Sequence, residues 1–255
     1  MYVRHEQAVV DEVLALAARG VPVLRIATQL GISRSTVRGW LAGGGTHAVR
    51  AAPCTSARCP VRDVVDRRAY SYLLGQYLGD GWIDLNGRRG VYRLVISCSA
   101  IYPDIVDEVQ AAIEAVMPMN RVGRVARPGV TAVQAYSKHW RCLFPQATPG
   151  HKHARPIVLE TWQAEIALVE HPEQFVRGLI HSDGWRGVNK VRGASGKHYE
   201  YSRYQFTNVS ADIRALFTSA LDRLGIEWRQ MNAYNVAVSR RGSVAALDEF
   251  VGEKS

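Results

Sequence analysis

Two short stretches of this chain match each other position by position, and each ends in aspartate, glycine and tryptophan. The first is LLGQYLGDGW, ending at Trp82, and the second is VRGLIHSDGW, ending at Trp185. The similarity continues downstream, because AYSKHW around Lys138 parallels AVSRRG around Arg240 at almost the same distance from its motif. Similarity that stays in register over this length indicates two copies of one structural unit in a single chain.

Each copy has the same order of predicted elements. The motif lies on a helix rich in small residues, and a strand pattern follows at residues 90–100 in the first copy and 201–210 in the second. Apolar residues then recur at helical spacing over residues 101–117 and 211–226, before shorter strand candidates and a closing helical segment. The sequence therefore predicts an α+β fold in which one unit occurs twice.

Both stretches resemble the LAGLIDADG motif of DOD-type homing endonucleases, in the two-motif arrangement of the single-chain members. The likeness runs from Tyr70 to the end of the chain. It departs from the family consensus at Leu78 and His181, where a first, non-catalytic acid is often found. The resemblance implies two αββαββα units related by a pseudo-two-fold axis, which together form a β-saddle.

The resemblance also implies that the two motif helices pack side by side at the interface between the units. Gly75 and Gly79 of one helix would then face Gly178 and Ser182 of the other. Small residues at such a crossing let two helix backbones approach closely.

The family's catalytic acid is present in both copies, as Asp80 and Asp183. Two carboxylates brought together at the ends of neighbouring helices repel each other unless a cation lies between them, so we expect them to bind Mg²⁺ or another divalent metal. Taken singly, an Asp-Gly pair is more often just a turn at the end of a helix. As a pair in register, the two aspartates predict metal-dependent phosphodiester hydrolysis.

Three further residues complete the implied catalytic site. Lys152 and Lys254 stand where the family often has a basic residue that stabilises charge on the phosphate or polarises water, although each could be an ordinary surface lysine. Asn208 follows the second motif at a position where family members carry a polar, water-positioning side chain. Cys98 is its equivalent in the first copy.

The N-terminal residues 1–43 have the pattern of a helix-turn-helix DNA-binding domain. One amphipathic helix is followed by VPVLRIATQLGISRSTVRGWL, in which Gly31 permits the turn and Ser33 caps the next helix. A unit of this kind can also serve only for packing or for docking another protein. The side chains predicted to enter the major groove are Arg34, Ser35, Thr36 and Arg38.

The chain is basic, with 32 Lys and Arg against 23 Asp and Glu and a formal net charge of +9. This balance favours a polyanionic partner such as double-stranded DNA, although a basic soluble protein is the alternative from charge alone. Individually, strand-surface cations are usually solvated charges, and only their clustering after both motifs suggests DNA contacts. The candidates, expected on one face of the strands in each repeat, are Arg88, Arg89, Arg93, Ser97, Lys138, Lys190, Arg192, Lys197, Arg203, Gln205 and Arg240.

Residues 44–68 are rich in Gly, Ala, Pro and Arg and predict a flexible basic linker, followed by the first repeat at 69–165 and the second at 166–255. Cys54 and Cys59 in this linker, with His47 upstream, suggest zinc, but one pair does not close a tetrahedral site. With four scattered cysteines and neither a signal peptide nor a long apolar run, we expect reduced thiols and a cytoplasmic protein that does not enter a membrane.

Two functions remain open from the sequence. One is a site-specific double-stranded DNA endonuclease of the homing type, acting as a monomer because the duplication supplies both halves. The other is a catalytically silent transcriptional regulator that keeps the same fold for DNA binding. Retention of both aspartates and both late lysines favours the endonuclease.

Overall fold

The computed structural model describes residues 7–41, 54, 56, 59–84, 90–148, 150–192 and 198–252. The chain forms two units, one made of residues 1–53 with 148–151 and the other made of the rest. Among the described residues, every helix is too short or too polar to cross a membrane.

The N-terminal unit contains three short helices, α1 (Gln7–Ala18), α2 (Val23–Gln29) and α3 (Arg34–Gly39). The Ser33 side chain caps α3 by accepting a 3.0 Å hydrogen bond from the amide of Thr36, as the sequence predicted. Apolar side chains from all three helices and the turn form a separate small core, composed of Val13, Leu16, Ile26, Ala27, Ile32 and Val37.

The second unit contains both repeats, and each follows the predicted order of helix, two strands, helix, two strands and helix. The first repeat consists of α4 (Arg67–Asp80), β1 (Gly81–Asp84), β2 (Tyr92–Ser99), α5 (Pro103–Val116), β3 (Val122–Arg127), β4 (Val130–Ser137) and α6 (Trp140–Leu143). A short helix α7 (Thr161–Ala164) continues into a π-helical segment, Glu165–Glu170, which leads to the second repeat. The second repeat consists of α8 (Pro172–Asp183), β5 (Gly184–Arg192), β6 (His198–Thr207), α9 (Ala211–Arg223), β7 (Arg229–Gln230), β8 (Asn235–Val238) and α10 (Arg241–Val251).

The two repeats build the same antiparallel sheet. The strand order is β1-β2-β4-β3 in the first and β5-β6-β8-β7 in the second. The helices cover one face of the sheets, and their apolar side chains join those of the strands in one continuous core that includes both repeats. The structure therefore confirms the duplicated α+β fold.

Helices α4 and α8 cross so closely that glycine is needed on both sides of the contact. A Cβ atom at Gly75 would lie 2.6 Å from the carbonyl oxygen of Phe175, and one at Gly178 would overlap the carbonyl oxygen of Tyr72. One turn later, Gly79 lies against the side chain of Ser182. The predicted facing of small residues is confirmed, and it holds the C-terminal ends of the two helices side by side.

Candidate active site and nucleic-acid face

Asp80 is the last residue of α4, and Asp183 is the last residue of α8. The glycine after each aspartate begins a strand that turns back over its own helix. A Cβ at Gly81 would lie 2.5 Å from Cα of Tyr77, and one at Gly184 would lie 2.6 Å from Cα of Ile180. The Asp-Gly pair thus lets the chain turn from helix to strand directly beneath each carboxylate.

The position of the two aspartates concentrates negative charge. Each lies at a helix C-terminus, where the aligned peptide dipoles and the last carbonyl groups also present partial negative charge. Asp80 is exposed and Asp183 is half-buried. Because both helix ends carry an acid where helices ordinarily favour a base, this locus is suited to a cation bound through oxygen atoms.

Lys152 supplies positive charge to this locus. Its Nζ donates hydrogen bonds of 2.6, 2.7 and 2.8 Å to the carbonyl oxygens of Tyr77, Gly79 and Gly81. An ammonium group has three N–H donors, so these carbonyls at the end of α4 engage all of them. Burial lowers the pKa of Lys152 to about 8, although the nearby charges of Asp183 and Asp80 act in the opposite direction. Lys152 is therefore fixed to the backbone beside both aspartates.

The two aspartates have different neighbours on the strands. Asn208 donates a 2.7 Å hydrogen bond from Nδ2 to Oδ2 of Asp183, and its own Oδ1 accepts one from the amide of Ser210. Cys98, at the equivalent place in the first repeat, is buried. Burial, and secondarily the charge of Asp80, raises the pKa of the Cys98 thiol to about 12. The second repeat thus places the amide of Asn208 beside its aspartate, whereas the first repeat has the neutral thiol of Cys98 at the equivalent position.

The two positions that depart from the family consensus are both buried. Leu78 is part of the apolar core. His181 lies in a polar network, with Nδ1 3.1 Å from the hydroxyl of Tyr72 and Nε2 3.0 Å from the carbonyl oxygen of Val251. The Tyr72 hydroxyl also accepts a 2.8 Å hydrogen bond from Gln76. Burial and these polar contacts therefore account for a histidine at this position.

The face of each sheet opposite the helices carries an exposed tryptophan beneath an arginine. The guanidinium carbon of Arg93 lies 5.3 Å from the ring centre of Trp82, and that of Arg203 lies 5.7 Å from that of Trp185. Both indoles are nearly half exposed, at 44% and 47%. Each tryptophan directly follows an Asp-Gly pair, so this Trp-Arg pairing is repeated in the two copies.

The strand register shows which other candidates share this face. In the first sheet Arg93 is opposite Tyr136, and in the second Gln205 is opposite Trp185. Ser97 has the same alternation as Arg93 and is half-buried. These residues lie together on one face of their own sheets.

Three candidates are not placed as expected, because side chains on a strand alternate between its two faces. Lys190 and Arg192 lie on the opposite face from Arg203, and Lys190 forms a 2.9 Å ion pair with Glu200. Arg240 lies outside the strands, at the start of α10, where it forms a 2.6 Å ion pair with Glu227. The prediction that these three share the strand surface with Arg203 and Gln205 is wrong.

The remaining candidates lie in other places. Lys138 is exposed just after β4. In the N-terminal unit Arg34 and Arg38 are exposed, whereas the Thr36 hydroxyl lies 2.7 Å from the Ser33 hydroxyl at the helix cap. Arg88, Arg89, Lys197, Lys254 and the side chain of Ser35 lie outside the described residues.

Trp82 and Trp185 belong to this face although the sequence did not single them out as DNA contacts. Their signal was present, since a tryptophan follows the Asp-Gly pair in both copies. The sequence does not show, however, that an arginine of the neighbouring strand lies over each indole ring.

The chain is similar to known proteins in two ways, through a family model and through solved structures. A family model described as a homeodomain-like domain matches residues 12–45. No curated protein matches the chain.

Solved structures of homing endonucleases are similar to about three quarters of the chain. A structure of mesophilic variants of the homing endonuclease I-DmoI covers 73% of this chain and 97% of its own, at 17% identity and a TM-score of 0.48. The LAGLIDADG meganuclease I-AabMI bound to uncleaved DNA covers 71% and 82%, at 10% identity and a TM-score of 0.47. The I-SmaMI LAGLIDADG homing endonuclease bound to cleaved DNA covers 72% and 83%, at 11% identity and a TM-score of 0.45. At these values the likeness does not extend to activity.

Proposed function

We propose that this protein is a site-specific endonuclease that hydrolyses phosphodiester bonds in double-stranded DNA with a divalent metal such as Mg²⁺. The observation that carries the proposal is that Asp80 and Asp183 end two closely packed helices, with Lys152 bound to the backbone carbonyls on either side of Asp80. The alternative is a regulator that binds DNA through the same face without cutting it.

The donor set fits a hard divalent cation. Carboxylate oxygens are the ligands that Mg²⁺ prefers, and two helix C-termini add to the negative potential at the same place. Asp80 and Asp183 would hold the metal. When bound, it would supply a water of lowered pKa and stabilise the negative charge of the phosphate.

The protein's own side chains orient this centre. By engaging three carbonyl groups, Lys152 fixes the end of α4 on which Asp80 stands. Asn208 fixes the rotamer of Asp183 through its 2.7 Å hydrogen bond. Lys152 and Asn208 are therefore positioning residues in this proposal, and Lys254 is the candidate for the second repeat's counterpart of Lys152.

The sheet faces provide contacts for DNA. Arg93 and Arg203 can donate to phosphate oxygens or base edges, and Gln205 can donate and accept. The N-terminal helix-turn-helix, with Arg34 and Arg38 exposed, would be a second DNA-reading element. A basic chain with net charge +9 supports a nucleic-acid partner.

The experiment that tests the proposal is cleavage of a randomised duplex library in Mg²⁺, followed by sequencing of the ends. The full chain is compared with Asp80→Asn, Asp183→Asn and the double variant. Glu227→Gln is the control, since it removes an exposed acid far along the chain from both motifs. We expect cuts at one defined sequence that need metal, persist in the control and vanish in the double variant.

Binding of a defined duplex without cuts, in both wild type and double variant, would favour the regulator. Equal cutting by the double variant would trace the activity to another site or to a contaminant, and would overturn the assignment of the two aspartates.

A further inference from the structure

Three cysteines and one histidine from distant parts of the chain meet at a single point outside the site described above. One ligand atom from each of Cys54, Cys59, His139 and Cys142 lies within 4.8 Å of the other three. Sγ of Cys54 is 3.7 Å from Nδ1 of His139, and Sγ of Cys142 is 3.9 Å from the same nitrogen. Cys59 is buried, and the other three are half-buried.

We infer that Cys54, Cys59, His139 and Cys142 bind a structural zinc ion. A tetrahedral site with Zn–S of about 2.3 Å and Zn–N of about 2.0 Å places sulfur and nitrogen about 3.6 Å apart and two sulfurs about 3.8 Å apart. The two S-to-N separations in the structure, 3.7 and 3.9 Å, are close to this value. Three thiolates and one imidazole are a soft donor set that selects zinc over Mg²⁺ or Ca²⁺.

Local structure prepares both halves of the site. His139 precedes α6 and Cys142 is its third residue, so the pair has the i, i+3 spacing that puts side chains on the same side of a helix. The Cys142 amide donates a 2.9 Å hydrogen bond to the His139 carbonyl. In the other half, the Cys59 amide donates a 3.1 Å hydrogen bond to the Ser56 carbonyl, just before the 3-10 segment Pro60–Arg62.

Four protein ligands close a zinc site and leave no position for substrate, so this ion would be structural. It would fasten the segment that precedes α4 to the end of the first repeat. Cys54 and Cys59 belong to that segment, whereas His139 directly precedes α6 and Cys142 lies in it. Cys98 lies in the apolar core apart from this cluster. The inference does not depend on nuclease activity.

The test is the metal content of the purified full chain, measured by mass spectrometry of the metals. We expect about one zinc ion per chain in the wild type. Cys59→Ser, Cys142→Ser and His139→Ala should each lose most of it. Cys98→Ala and His153→Ala are the matched controls, because each removes a residue of the same type outside the cluster, and both should keep the zinc.

A second measurement does not depend on the variants folding. Replacement of zinc by Co²⁺ in the wild type should give the intense visible absorption of tetrahedral cobalt and a thiolate-to-cobalt charge-transfer band. A wild-type chain without zinc and without these cobalt bands would overturn the inference. A disulfide between two of these cysteines would also overturn the inference. It would appear as a rise in the mass of the intact chain on reduction, and as cysteines that react with an alkylating reagent only after reduction.

Discussion

Asn208 donates a hydrogen bond to Oδ2 of Asp183, whereas the equivalent position beside Asp80 is the buried thiol of Cys98. An amide can orient a carboxylate and still present a polar group to water. A neutral thiol is a weak donor and a weak acceptor. The two halves of the proposed site are therefore chemically unequal.

This inequality predicts unequal cutting of the two DNA strands. In Asn208→Ala, the Asp183 carboxylate loses the partner that fixes its rotamer, and we expect one strand to be cut roughly ten-fold to a hundred-fold more slowly. Supercoiled plasmid carrying the target should then accumulate as the nicked circle. The other strand serves as the internal control. Equal slowing of both strands would mean that Asn208 supports the fold as a whole instead of one centre.

Lys152→Met should destabilise the protein and abolish cutting together. The variant keeps the length of the side chain but loses three hydrogen bonds to the last carbonyl groups of α4. Buried carbonyl groups without partners cost about 1–3 kcal/mol in the free energy of unfolding. Urea unfolding measures the loss, and Lys138→Met, an exposed lysine, is the control. Wild-type stability in Lys152→Met would contradict the stabilisation of the end of α4 by these three hydrogen bonds.

The pH dependence of stability provides a separate test of Lys152. Its pKa is lowered from 10.5 to about 8 in the folded protein, so between these values the unfolded chain binds the proton and the folded chain does not. The free energy of unfolding of the wild type should therefore rise, relative to that of Lys152→Met, as pH increases from about 8. The comparison is kept below about pH 10, because burial raises the pKa of Tyr70 and Tyr77 and above that pH their phenols ionise only in the unfolded chain. A constant difference across this range would refute the lowered pKa.

Gly178→Ala should separate the motif helices. The added methyl group would overlap the backbone carbonyl of Tyr72, which cannot move without shifting α4, and we expect a loss of about 2–3 kcal/mol in the free energy of unfolding. Gly242→Ala, in the first turn of α10 with open space around it, is the control. It should change stability by about 1 kcal/mol or less, on the stabilising side. Similar effects at both positions would mean that the crossing is less close than described.

Arg203→Gln should weaken DNA binding and reduce its dependence on salt. Removing one phosphate contact lowers the slope of log affinity against log salt by about 1. Lys190→Gln is the matched control, because Lys190 lies on the same pair of strands but on the opposite face. Binding to the selected duplex is followed by fluorescence anisotropy over a series of salt concentrations. The same change in slope for both variants would exclude face-specific contact.

The duplicated fold could be predicted from the sequence because its signals are local. Helix and strand periodicities, the Asp-Gly pairs and the cap at Ser33 each depend on residues a few positions apart. The crossing of α4 and α8 was implied by the resemblance of the motifs to a known family, and the small residues at Gly75 and Gly178 are compatible with it. The face of Lys190 and Arg192 could not be predicted, since a shift of one residue in strand register reverses every side chain.

The features that could not be predicted from the sequence depend on contacts between residues far apart in the chain. Cys54 and His139 are 85 positions apart. Neither the pair Cys54 and Cys59 nor the pair His139 and Cys142 indicates a four-ligand site by itself, and only the fold brings the two pairs together. The sequence suggests that Lys152 contacts phosphate, but in the structure its three N–H donors are all used by backbone carbonyl groups at the end of α4. The motif gives no reason for a histidine at position 181, whereas the contact of His181 with Tyr72 does. Each case depends on partners that no sequence spacing specifies.

The presence of both sheets in one chain has a consequence for the DNA that it would recognise. A symmetric dimer presents the same residues twice and must read a palindrome. Here the two faces have already diverged, because Trp82 is opposite Val95 in one sheet and the equivalent Trp185 is opposite Gln205 in the other. The two half-sites of the target should therefore differ in sequence, and each can change through mutations in one sheet alone.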